Sequence, residues 1–425
     1  MKNINTTIRL IVMNFLEYAV WGAYLTSMGS FIEKSGFGPQ IWLFFATQGF
    51  VSIFMPALLG IVADKWIPAQ KVLSLSHGIA GAAMIAAGLY AMKAGAGIQF
   101  GTFYGLYTIS VAFFMPTIAL SNSVAYNTLE KAGMDTIKDF PPIRVFGTVG
   151  FIISMLAVNF LRNGDGIQFQ HSYEQFLVSG GLSIVLCIYA LTLPECPCKP
   201  AGEGSTSFLE ATGLSAFKLF GQGQFAIFFI FSMLLGASLQ ITNGYANTFI
   251  TSFAGQSGYE NAWGANNANA LISLSQISET LCILLIPFCM KKFGIKKVML
   301  IAMFAWVFRF GFFGLGNPGS GVWLFVLSCI VYGVAFDFFN ISGSLYVNEN
   351  TDKDIRSSAQ GLFMLMTNGL GASIGTFAAG RVVNACVFNA AEPDWALAWY
   401  IFAAYAFVVG IAFAILFKDP AKKQN

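Results

Sequence analysis

Twelve apolar stretches follow one another along the chain, at 8–32, 41–63, 71–92, 98–120, 143–162, 173–193, 224–253, 266–290, 296–315, 322–347, 357–384 and 396–417. A helix needs about 20 mostly apolar residues to cross the hydrocarbon core of a bilayer. In that core every backbone polar group must find its partner inside the structure, which leaves helices as the natural spanning element for such runs. The pattern predicts an all-α integral membrane protein of about twelve transmembrane helices. Charged residues make up only 10% of the 425, where soluble domains carry about 25%. The first run, Ile8 to Ile32, lacks a small-residue cleavage site and is read as a span, not a signal peptide.

Composition also excludes several classes. A net charge of +3 with no basic, aromatic-interleaved stretch argues against nucleic-acid binding. Five of the seven cysteines lie in apolar runs, where a thiol is a small apolar side chain, and Cys196-Pro-Cys198 is neither a redox CxxC nor a zinc pattern. His77 and His171 are far apart in sequence and form no metal constellation. No nucleophile–base pair or metal cluster suggests an enzyme, and no cofactor is expected.

The longest polar interruption, Pro194 to Gln224, contains "ECPCKPAGEGSTS" and reads as a linker. The expected organisation is a six-helix bundle at 1–193, a cytoplasmic linker at 194–223 and a second six-helix bundle at 224–425. With both termini placed in the cytoplasm, eighteen Lys and Arg fall inside and four outside, with Arg309 within span nine. That asymmetry supports cytoplasmic termini. Short basic turns, "GIVADKWIPAQKVL" and "MKKFGIKKVML", sit at corresponding places in the two halves. Repeated six-helix halves joined by a linker are the layout of major facilitator transporters. Gly60-x-x-x-Asp64-Lys65 partly matches that superfamily's loop motif. Small residues at four-residue spacing, Gly78, Ala82 and Ala86 in span three and Gly371 and Gly375 in span eleven, mark close helix packing.

Ionisable and amide groups within spans are the functional candidates. Gln240, Asn243 and Asn247 fall at i, i+3 and i+7 along span seven. Gln276 and Glu279 share a face of span eight. Tyr332 and Phe336 share a face of span ten, with Asp337 beside it and Asn340 one turn on. Arg144, Thr148 and Phe151 follow i, i+4, i+7 in span five after "DFPP", whose prolines suit a helix start. Single amides in membrane helices often serve only helix–helix hydrogen bonds, worth roughly 0.6–2 kcal/mol. Arg309 is expected to snorkel or to pair structurally, and Glu17 to pair with an arginine or face a cavity. Gln240, Asn243, Gln276, Glu279 and Asp337 together are too many polar groups in three helices for packing alone. Amides match the edge of a nucleobase, a carboxylate accepts from vicinal hydroxyls, and Phe151 and Phe336 can stack on a flat ring. The ligand expected is neutral, hydroxylated and planar at one end, and a sugar would satisfy the same groups nearly as well.

The strings "FMPALLGIVADKW", "AGMDTIKDFPPIRVFGTVGF", "IFFIFSMLLGASLQITN", "SLSQISETL" and "IVYGVAFDFFNISGS" resemble the bacterial nucleoside:proton symporters of the major facilitator superfamily, from span one to span twelve. The resemblance implies a transporter of the inner membrane that imports nucleosides with protons by alternating access, acting as a monomer. It implies nucleoside recognition by Arg144, Thr148, Phe151, Gln240, Asn243, Gln276, Glu279, Tyr332 and Phe336. It also assigns proton coupling to Asp337, whose neutral form desolvation favours; Glu279 is a rival for the proton. "ITNGYAN" and the loop 254–268 depart from the family's pattern, which leaves the ranking among nucleosides open.

Overall fold

The computed structural model describes residues 2–198, 214–352 and 355–418. Part of the expected linker, 199–213, lies outside the described residues, as do Lys199, Lys353, Lys422 and Lys423 of the basic tally. Among the described residues, ten helices are long and apolar enough to cross a membrane, with Glu174–Ala190 as a shorter apolar helix. The remaining expected span begins as Lys2–Gly22, whose first turns are polar, and continues after a break as Met28–Ile32. Large apolar side chains such as Leu284, Phe288, Val408 and Ile415 stand exposed, as lipid-facing surfaces require.

The helices fall into two compact units. One comprises Met1–Ala211 with Asn243–Thr248, the other Thr212–Thr242 with Phe249–Asn425. Within the first, span one lies against span five, and span three (Ala69–Ala94) against span six (Glu174–Ala190). Glycine permits both approaches. A Cβ on Gly150 would stand 2.1 Å from the Phe15 carbonyl oxygen, and one on Gly22 would stand 2.4 Å from that of Phe151. Gly81 and Gly180 meet reciprocally, each added Cβ falling within 2.9 Å of the other's carbonyl oxygen. The close-packing stripe of span three is therefore displaced from the one expected. Gly78 does reach Cys187, but Ala82 is exposed, and Gly81 and Gly88 make the tight contacts.

In the second unit the expected glycines hold. Gly371 faces the Met233 carbonyl and Gly375 faces Ala237, while Gly236 of span seven (Gly223–Ser252) faces the Thr367 carbonyl. Among the described residues, spans one, four and eleven depart from a continuous α-helix. Span four breaks between Phe100–Phe114 and Thr117–Lys131 at Pro116, which has no N–H to continue the ladder. Span one turns at Ala23–Ser27. Span eleven widens into π-helical backbone over Leu365–Gly371.

The prolines of "DFPP" do not start span five. The helix begins at Thr136, one and a half turns earlier, with Pro141 and Pro142 inside it. Asp139 accepts the Asp135 N–H at 3.0 Å and Asp135 accepts that of Lys138 at 3.4 Å, so the aspartates satisfy the free donors of the first turn. Gly294 takes φ +78° and joins spans eight (Ala268–Phe293) and nine (Ile295–Leu315) through one residue. Only glycine adopts that conformation without strain.

Candidate functional site

In the second unit, Arg309 organises the polar groups. Its guanidinium is fully buried and pairs structurally, the second of the two roles the sequence suggests, and it does not snorkel. Two of its three nitrogens, Nη1 and Nε, donate to protein groups. Nη1 donates to the Ser328 carbonyl at 2.7 Å and to Ser275 Oγ at 3.3 Å, and Nε donates to Thr242 Oγ1 at 3.3 Å. Ser328 Oγ returns a bond to the Arg309 carbonyl at 2.8 Å. One cation thus ties spans seven, eight, nine and ten (Val322–Asn350) together.

The guanidinium carbon lies 4.5 Å from the centre of the Tyr332 ring, a cation–π contact strengthened by desolvation. Tyr332 is parallel to Phe336, with centroids 6.0 Å apart and planes 12° apart, and Trp306 meets it edge-on at 6.0 Å. The Tyr332 side chain hydrogen-bonds Gln276 and has Glu279 and Asp337 as ionisable neighbours. Spans eight and ten come this close because residue 333 is glycine: a Cβ there would stand 2.6 Å from the Ser278 backbone and 2.8 Å from the Glu279 nitrogen. Asp337 is buried, and Cys282 of span eight is near it. Gln240 is buried, and its Oε1 accepts no hydrogen bond from the protein. An unmet buried acceptor costs about 1–3 kcal/mol, a cost that a ligand donor removes. Phe336, Trp306 and Asn340 also line a small cleft with Leu239 and Thr367.

The first unit holds the other expected residues. Arg144 lies over Tyr18, 3.8 Å from its ring centre, and Gly147 leaves room for the two. Phe151 is buried and meets Trp21 edge-on at 6.4 Å. Thr148 and Asn243 are half-buried. Asn247, on the same stripe as Asn243, is fully buried and donates to Gln170 Oε1 at 3.4 Å, a helix-to-loop contact. In that loop His171 bonds Ser30 at 2.9 Å. Burial, then the Lys34 ammonium, lower its pKa from 6.5 to about 3.

Two features escaped the sequence reading. Glu17 pairs with a histidine, not an arginine: His77 Nε2 is 2.9 Å from Glu17 Oε2, both wholly buried. Glu17 and His77 each lie mid-span, which is the signal that could have joined them. Gly333 carried no signal, since its role rests on which helix faces it.

The residues matched by the family model described as "Nucleoside H+ symporter" are 4–422, nearly the whole chain. This chain is a nucleoside:H+ symporter family member. The xanthosine permease of Escherichia coli (strain K12) is 43% identical, covering 98% of this chain and 98% of the relative. Nucleoside permease NupG of the same organism is 42% identical, covering 97% and 96%. A crystal structure of nucleoside transporter NupG superposes with a TM-score of 0.87 at 41% identity, covering 97% of this chain and 99% of that one. The xylose transporter XylE shares the fold, with a TM-score of 0.68, at 12% identity. In this family member the polar groups of the second unit are thus set in a major facilitator scaffold.

Proposed function

We propose that this symporter imports nucleosides with protons across the inner membrane, in which it is a multi-pass protein. Family membership over residues 4–422 carries the reading. The buried, unmet Gln240 acceptor supports it from the structure. In the second unit, Gln240 and Gln276 read the base edge, Glu279 accepts from the ribose hydroxyls, and the parallel Tyr332 and Phe336 rings offer a stacking face. In the first unit, Arg144, Thr148, Phe151 and Asn243 are the further candidates for nucleoside recognition. Asp337, buried in span ten, carries the coupled proton. Its proton state then biases which side of the membrane the site faces. Both termini are cytoplasmic, in keeping with the distribution of Lys and Arg.

The test is binding and competition on purified protein with uridine, adenosine, guanosine, uracil and glucose. Nucleosides should compete with labelled uridine, and free base and hexose should not. Competition by glucose at the concentration at which uridine competes would overturn the substrate assignment.

A further inference from the structure

The Glu17–His77 pair is embedded in the first unit with four helices around it. Glu17 comes from span one, His77 from span three, Thr117 from span four and Ser183 from span six, and all four are buried. Thr117 Oγ1 donates to Glu17 Oε1 at 2.6 Å. Ser183 Oγ lies 2.9 Å from the His77 carbonyl oxygen and 3.0 Å from His77 Nδ1. In one tautomer its single hydrogen goes to the carbonyl and Oγ accepts from Nδ1–H; in the other it goes to Nδ1 and the ring proton sits on Nε2. In either tautomer the 2.9 Å contact between Nε2 and Oε2 is closed by a proton between the two atoms. A neutral imidazole beside an ionised Glu17 leaves one net negative charge buried. One further proton makes the pair imidazolium and carboxylate, or imidazole and carboxylic acid, neutral in either case.

Other titratable groups on the surrounding helices are engaged elsewhere or lie at the ends. Arg9 is held by the Thr192 carbonyl, Arg144 by Tyr18, and Cys187 by Ser74. Tyr104 bonds Thr47, Tyr107 bonds Phe44, and Tyr189 bonds the Arg9 carbonyl. Tyr24 is buried beside Tyr107. Lys71, Lys93, Tyr126, Glu130 and Lys131 are exposed. Asp64 and Lys65 end the span-two helix, Tyr90 is near the end of span three, and Glu174 opens span six.

One helical turn after Glu17, Trp21 stands between two aromatic contacts, Phe114 at 6.0 Å and Phe151 at 6.4 Å; His77 is itself 6.0 Å from Phe114. Span one thus carries both the acid and the ring that packs on Phe151. We infer that Glu17 and His77 form a second proton-binding site, distinct from Asp337, whose occupancy is linked to nucleoside binding through Trp21 and Phe151. This rests on the nucleoside reading of Phe151. Loss of that proton leaves a net negative charge buried between span one and span three, and a ligand that moves Phe151 changes how tightly the proton is held. By linkage the effect is mutual.

The full chain in lipid nanodiscs tests this in two ways. It contains two histidines, so ¹⁵N-histidine labelling with His171→Gln leaves His77 as the single resonance pair. Saturating uridine should shift the His77 Nε2 resonance. A resonance that stays fixed between about pH 5 and 9, with and without uridine, would overturn the proposal. The second arm counts protons taken up when uridine is added in weak buffer. Glu17→Gln keeps the side-chain size and can still bond Thr117 and His77. It should bind uridine yet take up fewer protons than the parent, and its affinity should lose a pH dependence of up to about tenfold per unit. Asp337→Asn should retain the Glu17 share. Equal uptake by the parent and Glu17→Gln, with binding intact, rejects the second site and leaves the nucleoside reading standing. Failure of the parent to bind any nucleoside rejects both.

Discussion

Each key side chain is placed by its immediate partners, and Arg309 shows how. A lysine there keeps the charge but cannot supply a forked set of donors to Ser275, Ser328 and Thr242. Arg309→Lys should leave buried acceptors unmet and release Tyr332, lowering uridine affinity by about 2 kcal/mol, or roughly 30-fold. Isothermal calorimetry checks this, and unchanged affinity would show that Tyr332 is placed without Arg309. His171 gives a pH prediction of definite sign. Its folded pKa of about 3 lies below the unfolded value near 6.5, so the unfolded chain binds the extra proton first. The stabilising effect of the neutral imidazole is full above about pH 6.5 and is lost progressively as pH falls toward 3. Thermal melts should show this slope in the parent, and His171→Gln should flatten it.

Helix contacts here are set by backbone approach. Gly236 meets the Thr367 carbonyl at a distance no Cβ tolerates, whereas Gly181 on span six faces open space. Gly236→Ala should cost about 1–3 kcal/mol through forced displacement of span eleven. Gly181→Ala should be neutral or slightly stabilising, because alanine is the better helix former. Melting temperatures in detergent separate the two, and equal effects would contradict the packing described. The same contrast explains what could be read from sequence. Spans were legible because length and hydropathy suffice to place them, and the Gly371/Gly375 spacing pointed to a real contact. In span three the same spacing rule selected Ala82, which faces outward, because spacing defines stripes on a helix and not which stripe meets a neighbour. Likewise "DFPP" looked like a start because prolines suit first turns, while the capping aspartates upstream had already begun the helix.

At the scale of the whole molecule, the polar groups were legible as anomalies in apolar runs, which is why Asp337, Gln240 and Glu279 stood out. Their partners were not. Arg309 is tied to residues 19 to 67 positions away, and Glu17 to one 60 positions away, distances over which sequence carries no pairing information. The central claim concerns coupling of solute to proton. It is tested most directly by uptake of labelled uridine into proteoliposomes with an imposed proton gradient, comparing the parent with Asp337→Asn. The account predicts that the parent concentrates uridine only while the gradient stands, and that the variant binds uridine without concentrating it. Concentrative uptake by Asp337→Asn, or uptake by the parent that survives collapse of the gradient, would contradict it.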